Sequence, residues 1–505
     1  MTGAATMPRP TPLANAQWLA GREVGPRRPG LHGQGVASGE PISCKKAWPD
    51  IPGRLSGCIK APILSLSLFL GLALAQSFGA EPPPAGGMEQ RLRTAIAQIK
   101  AIDNHAHPQA VATAAQPDLD FDQLASPVDD FPLPVRLRPD NPELLQAWRD
   151  LFGYAHQDFL PEHLAELKAQ RAKVMAEKGL LFPAWVLGKI GTETMLANRV
   201  AMGPGLAAPA FRWVAFVDAL AMPLDHTALA EATPDRTIYY EDIQRLSQRY
   251  LAALGLKALP PTLAGYLKEV VNPTLARLKA TGAVGIKFEA AYLRSLAFAD
   301  VLESRAAEIY AAHLAGRPAA AEDTALQDYL YRYLAREAGR LELPVQIHVG
   351  PGIGGHLLQQ GAHPSQLESL LEDQRCSKTK FILLHGAWPY ADEVAALLSK
   401  PNVYADFSAQ TFLLYPPALC RCLRVWLSFI PEKVLFGTDA LPTGPDSGWE
   451  VLAWLTAHTG REALTLALLG MVQDHEISED RALALAHAVL RDNALKVYGY
   501  KVTGP

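Results

Sequence analysis

Four short apolar runs, widely spaced along the chain, each close in a histidine or an acid. They are Ile102-Asp103-Asn104-His105-Ala106-His107, Val345-Gln346-Ile347-His348, Phe381-Ile382-Leu383-Leu384-His385 and Val434-Leu435-Phe436-Gly437-Thr438-Asp439. Val284-Gly285-Ile286-Lys287 places a lysine in the same way. Near-continuous apolar runs of this length, alternating with helical periods, are strands of a parallel sheet covered by helices. In a parallel barrel the C-terminal strand ends converge on one face, so these polar residues would meet there.

The pattern around these runs predicts an α/β protein, a (β/α)₈ TIM-type barrel over residues 98–500. Residues 76–97 form a linker and leading helix, and residues 118–280 contain a large, mostly helical insertion with Pro161–Lys178, Tyr240–Leu254 and one strand-like run, Phe211–Val217. Helices are expected at Ala325–Leu341, Ser365–Glu372, Asp392–Ser399 and Ala418–Phe429, and strands at Gly282–Phe288 and Val403–Phe407. The C-terminal part reads as three helices, Trp449–Thr459, Arg461–Leu469 and Ser478–Val497. A doubly wound open sheet is the competing architecture. No Gly-rich phosphate loop leads from a strand into a helix, which removes its main support.

Composition becomes informative when the chain is divided. The 505 residues carry a net charge of -4 and only 19% charged residues, which excludes a basic nucleic-acid-binding face. Residues 1–75 alone carry a net +5, however, and the remaining 430 a net -9. Residues 1–59 are rich in Pro and Gly and read as a disordered or mis-called N-terminal extension. Lys60, the apolar stretch 61–72 and Ala73-Leu74-Ala75 form a signal peptide at 60–75, too short for a membrane span. Its position predicts a true start downstream of Met1, and an exported protein, periplasmic or secreted, without a stable membrane anchor after cleavage. Of the five cysteines only Cys376, Cys420 and Cys422 follow this leader, and they do not make a disulfide framework.

Residues i and i+2 of a strand share a face, so His105 and His107 can address one point. Imidazole nitrogens with one carboxylate suit a divalent ion that keeps an open position, zinc foremost and manganese as the alternative. Such an ion lowers the pKa of bound water to about 7. The other histidines sit in helical or loop contexts with no partner pattern.

These motifs resemble the amidohydrolase superfamily, and within it the amidohydrolase-related family, particularly the branch fused to glutamine synthetase-like domains in nodulin/FluG-type proteins. Lys287-Phe288-Glu289-Ala290-Ala291-Tyr292-Leu293-Arg294, Leu384-His385-Gly386-Ala387-Trp388-Pro389-Tyr390, Asn402–Phe407 and Arg491–Gly499 carry the resemblance alongside the runs above. No glutamine synthetase-like stretch accompanies them in these 505 residues. The resemblance implies one or two divalent ions on His105, His107 and His348, with Asp439 as ligand or general base. His385 would bind a second ion or act on the substrate, and Lys287 would be carboxylated and bridging or would fix a substrate carboxylate. Tyr292, Arg294 and Trp388 are candidate substrate contacts, Arg294 as a bidentate carboxylate clamp. Asp406 is a candidate support for a ligating histidine. Gly350, Gly352, Gly354 and Gly355 read as a flexible loop over the site.

The expected activity is metal-dependent hydrolysis of a C–N or related bond in a small molecule. Metal-dependent, non-oxidative decarboxylation of a small carboxylic acid is the alternative, and a catalytically silent binding barrel the third reading. A homodimer is expected from the resemblance alone.

Overall fold

The computed structural model describes residues 85–113, 116–124, 133–233, 236–316, 320–350, 359–442 and 448–500. The extension at 1–59, the leader at 60–75 and Gly352, Gly354 and Gly355 lie outside these residues. Among the described residues no helix is long and apolar enough to cross a membrane.

Eight parallel strands follow one another in chain order: β1 (Ala101–Ala106), β2 (Thr192–Arg199), β3 (Phe211–Phe216), β4 (Ala283–Phe288), β5 (Val345–His348), β6 (Phe381–Leu384), β7 (Val403–Asp406) and β8 (Val434–Leu435). The chain past β8 returns to β1. Asn104 N donates to Phe436 O at 2.9 Å, Asp439 N to His105 O at 2.7 Å and His107 N to Ala440 O at 2.8 Å. The result is a nearly closed (β/α)₈ barrel.

Alternation along each strand separates two apolar sets. Ile102, Leu196, Val214, Ile382, Leu384 and Leu435 form one buried cluster that fills the barrel, with Val497 and Tyr498 of the last helix packed against it. Residues of the opposite parity, such as Ala101, Met195, Ala215 and Val345, join the larger core beneath the surrounding helices.

Three expectations change. The stretch 118–280 holds a second strand, β2, besides the expected run at Phe211–Val217, which is β3. β2 escapes a sequence reading because Thr192-Glu193-Thr194-Met195-Leu196-Ala197-Asn198-Arg199 has neither an apolar run nor β-branched enrichment; its pairing with β1 and β3 makes it a strand. The run read as Val434–Thr438 ends its regular ladder at Leu435, since the chain then turns to bond β1. The break expected between Thr459 and Arg461 is absent, and one helix spans Trp449–Gln473. Gly460 lets that helix approach the barrel: a Cβ there would lie 2.8 Å from the Phe436 ring.

His226, buried against the Tyr240 ring (5.4 Å between centroids), is pushed down to about 4 by burial. Its folded value lies below the unfolded 6.5, so the unfolded chain takes the proton first. Stability is therefore full above pH 6.5 and lost as pH falls toward 4, by up to about 3 kcal/mol. Denaturant titrations of His226→Gln between pH 4 and 7 should show a flatter acid limb; an unchanged limb assigns the acid sensitivity elsewhere.

Candidate metal centre

The strand ends deliver His105, His107, His348, His385 and Asp439 to one place. Asp439 lies at its middle. Its Oδ1 is 3.1 Å from His105 Nε2 and 3.4 Å from His107 Nε2, and its Oδ2 is 3.8 Å from His385 Nδ1. His348 Nδ1 stands 3.1 Å from His385 Nε2. Asp439 and His385 both have left-handed backbones, φ 57° and φ 62°. Such conformations persist in non-glycine residues only where the surroundings impose them, commonly at functional sites.

His105 and His385 are held from behind. His105 Nδ1 donates to Gln346 Oε1 at 3.1 Å, and Gln346 Nε2 donates to Asn104 O at 2.7 Å and to the Tyr498 hydroxyl at 2.8 Å. Asp406 accepts from the His385 backbone N–H (2.8 Å), the Ser408 hydroxyl (2.7 Å) and Asn104 Nδ2 (2.7 Å). With its proton committed to Asp406, the Ser408 hydroxyl can only accept from His385 Nδ1 at 2.9 Å. Asp406 thus fixes His385 through its backbone and through Ser408, the support expected of it.

Burial lowers His105, His348 and His385 well below the ordinary histidine range, so all three are neutral imidazoles able to offer a lone pair. His105 Nε2 and His348 Nε2 are buried without a hydrogen-bond partner. Burial raises Asp439 to about 6 against the pull of His107 and Lys287. Asp103, on the strand before His105, is raised by burial to about 7 while it accepts from Thr438 N and its hydroxyl. Orphaned imidazole nitrogens around one carboxylate are a donor set that fits a divalent ion, and His105, His385 and Asp439 have ligand atoms within 4.8 Å of one another.

The remaining sequence candidates divide. Lys287 is 1% exposed at the end of β4 and makes no ion pair among the described residues, not even with Glu289. The Tyr292 ring packs 4.5 Å from the His348 ring and belongs to the site. Trp388 is half-buried, directly after the short helix His385–Ala387, while Tyr390 packs on His363, 4.2 Å between centroids, rather than on the cluster. Arg294 is not the expected carboxylate clamp. It is engaged by Asp328, by Gln327 Oε1 (3.2 Å) and by the carbonyls of Ser295 (3.0 Å), Thr324 (3.2 Å) and Ala297 (3.4 Å), which occupy its donors.

A sequence reading misses Asp122, Gln123 and Asp218. Asp122 Oδ2 lies 2.7 Å from His107 Nδ1, close enough for an ion pair but off the angle of a hydrogen bond. Glu289 N donates to both Asp218 oxygens at 2.9 Å, and Tyr331 OH donates to Asp218 Oδ1 at 2.7 Å. Burial raises Glu289 far above the usual carboxylate range, and Asp122 and Asp218 add to it. No motif signals Asp122, because it lies on an irregular loop.

The sequence profile of the amidohydrolase family matches residues 215–500, a span that includes Lys287, His348, His385 and Asp439 but starts after His105 and His107. Among solved structures, the chain is similar to a provisionally assigned metal-dependent hydrolase from Lactobacillus casei, at 18% identity over 81% of this chain and 97% of that one, with a TM-score of 0.52. It is also similar to glucuronate isomerase from Caulobacter crescentus, at 14% identity over 83% of this chain and 95% of that one, with a TM-score of 0.56. At these identities the likeness is one of fold. No curated protein matches the sequence.

Proposed function

The chain belongs to the amidohydrolase family, and we propose that it is a metal-dependent hydrolase that cleaves a C–N or related bond of a small molecule with activated water. The observation that carries this reading is the pair of orphaned, buried nitrogens, His105 Nε2 and His348 Nε2, beside Asp439. His105, His107, His348 and Asp439 would hold the ion; neutral imidazoles with a carboxylate favour zinc. When bound, the ion supplies Lewis-acid activation of water at neutral pH. Asp439 takes the proton of the attacking water and returns it to the leaving group. His385, oriented by Ser408 and Asp406, faces the reacting atoms. Decarboxylation is the weaker reading, since Arg294, one candidate for holding a substrate carboxylate, is engaged by Asp328, which leaves Lys287 alone for that role. The motifs also support placement nearest the nodulin/FluG-type branch.

The test is the double substitution His105→Ala, His107→Ala. Plasma mass spectrometry should show bound metal lost together with activity against a panel of small amides. Full metal content and activity in that variant would end the hypothesis. The same count bears on Lys287: one equivalent per chain, unchanged under added bicarbonate and metal, refutes a carboxylated bridge.

A further inference from the structure

Beside His107 the barrel mouth gathers side-chain oxygens that accept hydrogen bonds. Asp122 lies on one side of the imidazole, and Glu289 brings a carboxylate oxygen within 4.8 Å of the Asp122 and His107 ligand atoms. Gln123, 2% exposed, donates its Nε2 to Asp218 Oδ2 (2.7 Å) and Glu289 Oε2 (3.1 Å). That leaves Gln123 Oε1, on the same planar amide, buried without a partner. Among the described residues no lysine or arginine forms an ion pair with Asp122, Asp218 or Glu289, and Arg294 is bound by Asp328. Aromatic rings border the site: Phe121 lies 6.3 Å from the His107 ring and Tyr292 4.5 Å from the His348 ring.

Asp122, Asp218 and Glu289 outnumber Lys287, the one buried lysine whose charge acts on all three, and with the unpartnered amide oxygen they are complementary to a group that only donates. An ammonium has three N–H donors and no acceptor, and it is attracted to aromatic faces. We propose that Asp122, Gln123 and Glu289 form a subsite for the ammonium group of an amine-bearing substrate. His107 links this subsite to the reacting centre, with Nδ1 beside Asp122 and Nε2 3.4 Å from Asp439. The ammonium and the scissile bond are therefore one imidazole apart, the reach of a small amino-amide. This rests on the hydrolase reading only in taking the barrel mouth as the substrate pocket.

Calorimetry with benzylamine and benzyl alcohol, near-isosteric probes that differ in charge at neutral pH, tests the proposal without turnover. The purified protein should bind benzylamine about 10-fold more tightly than the alcohol or better. That preference should persist after chelator treatment, which separates it from amine ligation of a metal. Glu289→Gln and Gln123→Leu should each lose it while metal content and circular dichroism stay those of the parent. Equal binding of the two probes, a preference abolished by chelator, or a preference intact in both variants overturns the proposal. So does loss of a metal equivalent in Glu289→Gln, which would assign the carboxylates to a second cation. Failure of the hydrolase reading shows elsewhere, in the metal count of the His105→Ala, His107→Ala variant.

Discussion

Asp439→Asn is expected to lower kcat by about 10²–10⁴-fold while bound metal stays near the parent level. The carboxylate lies within 3.1–3.8 Å of three imidazoles, and its backbone N–H donates to His105 O at 2.7 Å. Asparagine keeps the shape and one oxygen for an ion, and the backbone bond survives. What it loses is the capacity to accept a proton. Burial holds Asp439 at about 6, where it is mostly ionised at neutral pH and still basic enough to take one. Steady-state kinetics on the best substrate of an amide panel, paired with metal analysis, makes the comparison. Retention of more than about a tenth of the parent kcat with metal bound would remove Asp439 from the base role.

Gly386→Ala is expected to destabilise the barrel by about 3 kcal/mol or more and to displace His385. Gly386 has φ 51°, where a Cβ is disfavoured. A methyl there would lie 2.2 Å from Trp426 Cη2 and 2.4 Å from Gln410 Nε2. Neither neighbour can yield cheaply. Trp426 is fully buried and donates its indole N–H to Ala391 O at 2.8 Å, and Gln410 Nε2 donates to His385 O at 3.0 Å. Thermal unfolding and metal affinity should fall together; a variant as stable as the parent would show that this turn can repack.

Much of this architecture is legible in the chain because parallel strands buried on both faces are written as apolar runs. Val345–His348 and Phe381–Leu384 stand out for that reason, and the polar residue closing each run marks the functional face. β2 does not stand out, because its strand character comes from neighbours that supply its ladder and cover. Arg294 shows the complementary failure. Its place just past β4 suggested a ligand contact, and only the packed helix Ala320–Arg340, which brings Asp328 against it, shows that its charge is already met.

From the sequence alone follow the barrel, the family, and the convergence of His105, His107, His348, His385 and Asp439, because strand parity and chain order are local properties that survive folding. Tertiary structure alone decided which nitrogens stay unpaired, how Asp406 and Ser408 set the His385 tautomer, and that Asp122, Gln123 and Glu289 share a pocket. Those features depend on distances between loops and strands far apart in the chain, such as the 166 positions separating Gln123 from Glu289. No local periodicity encodes such a distance, since it is set by how the packed core holds its loops.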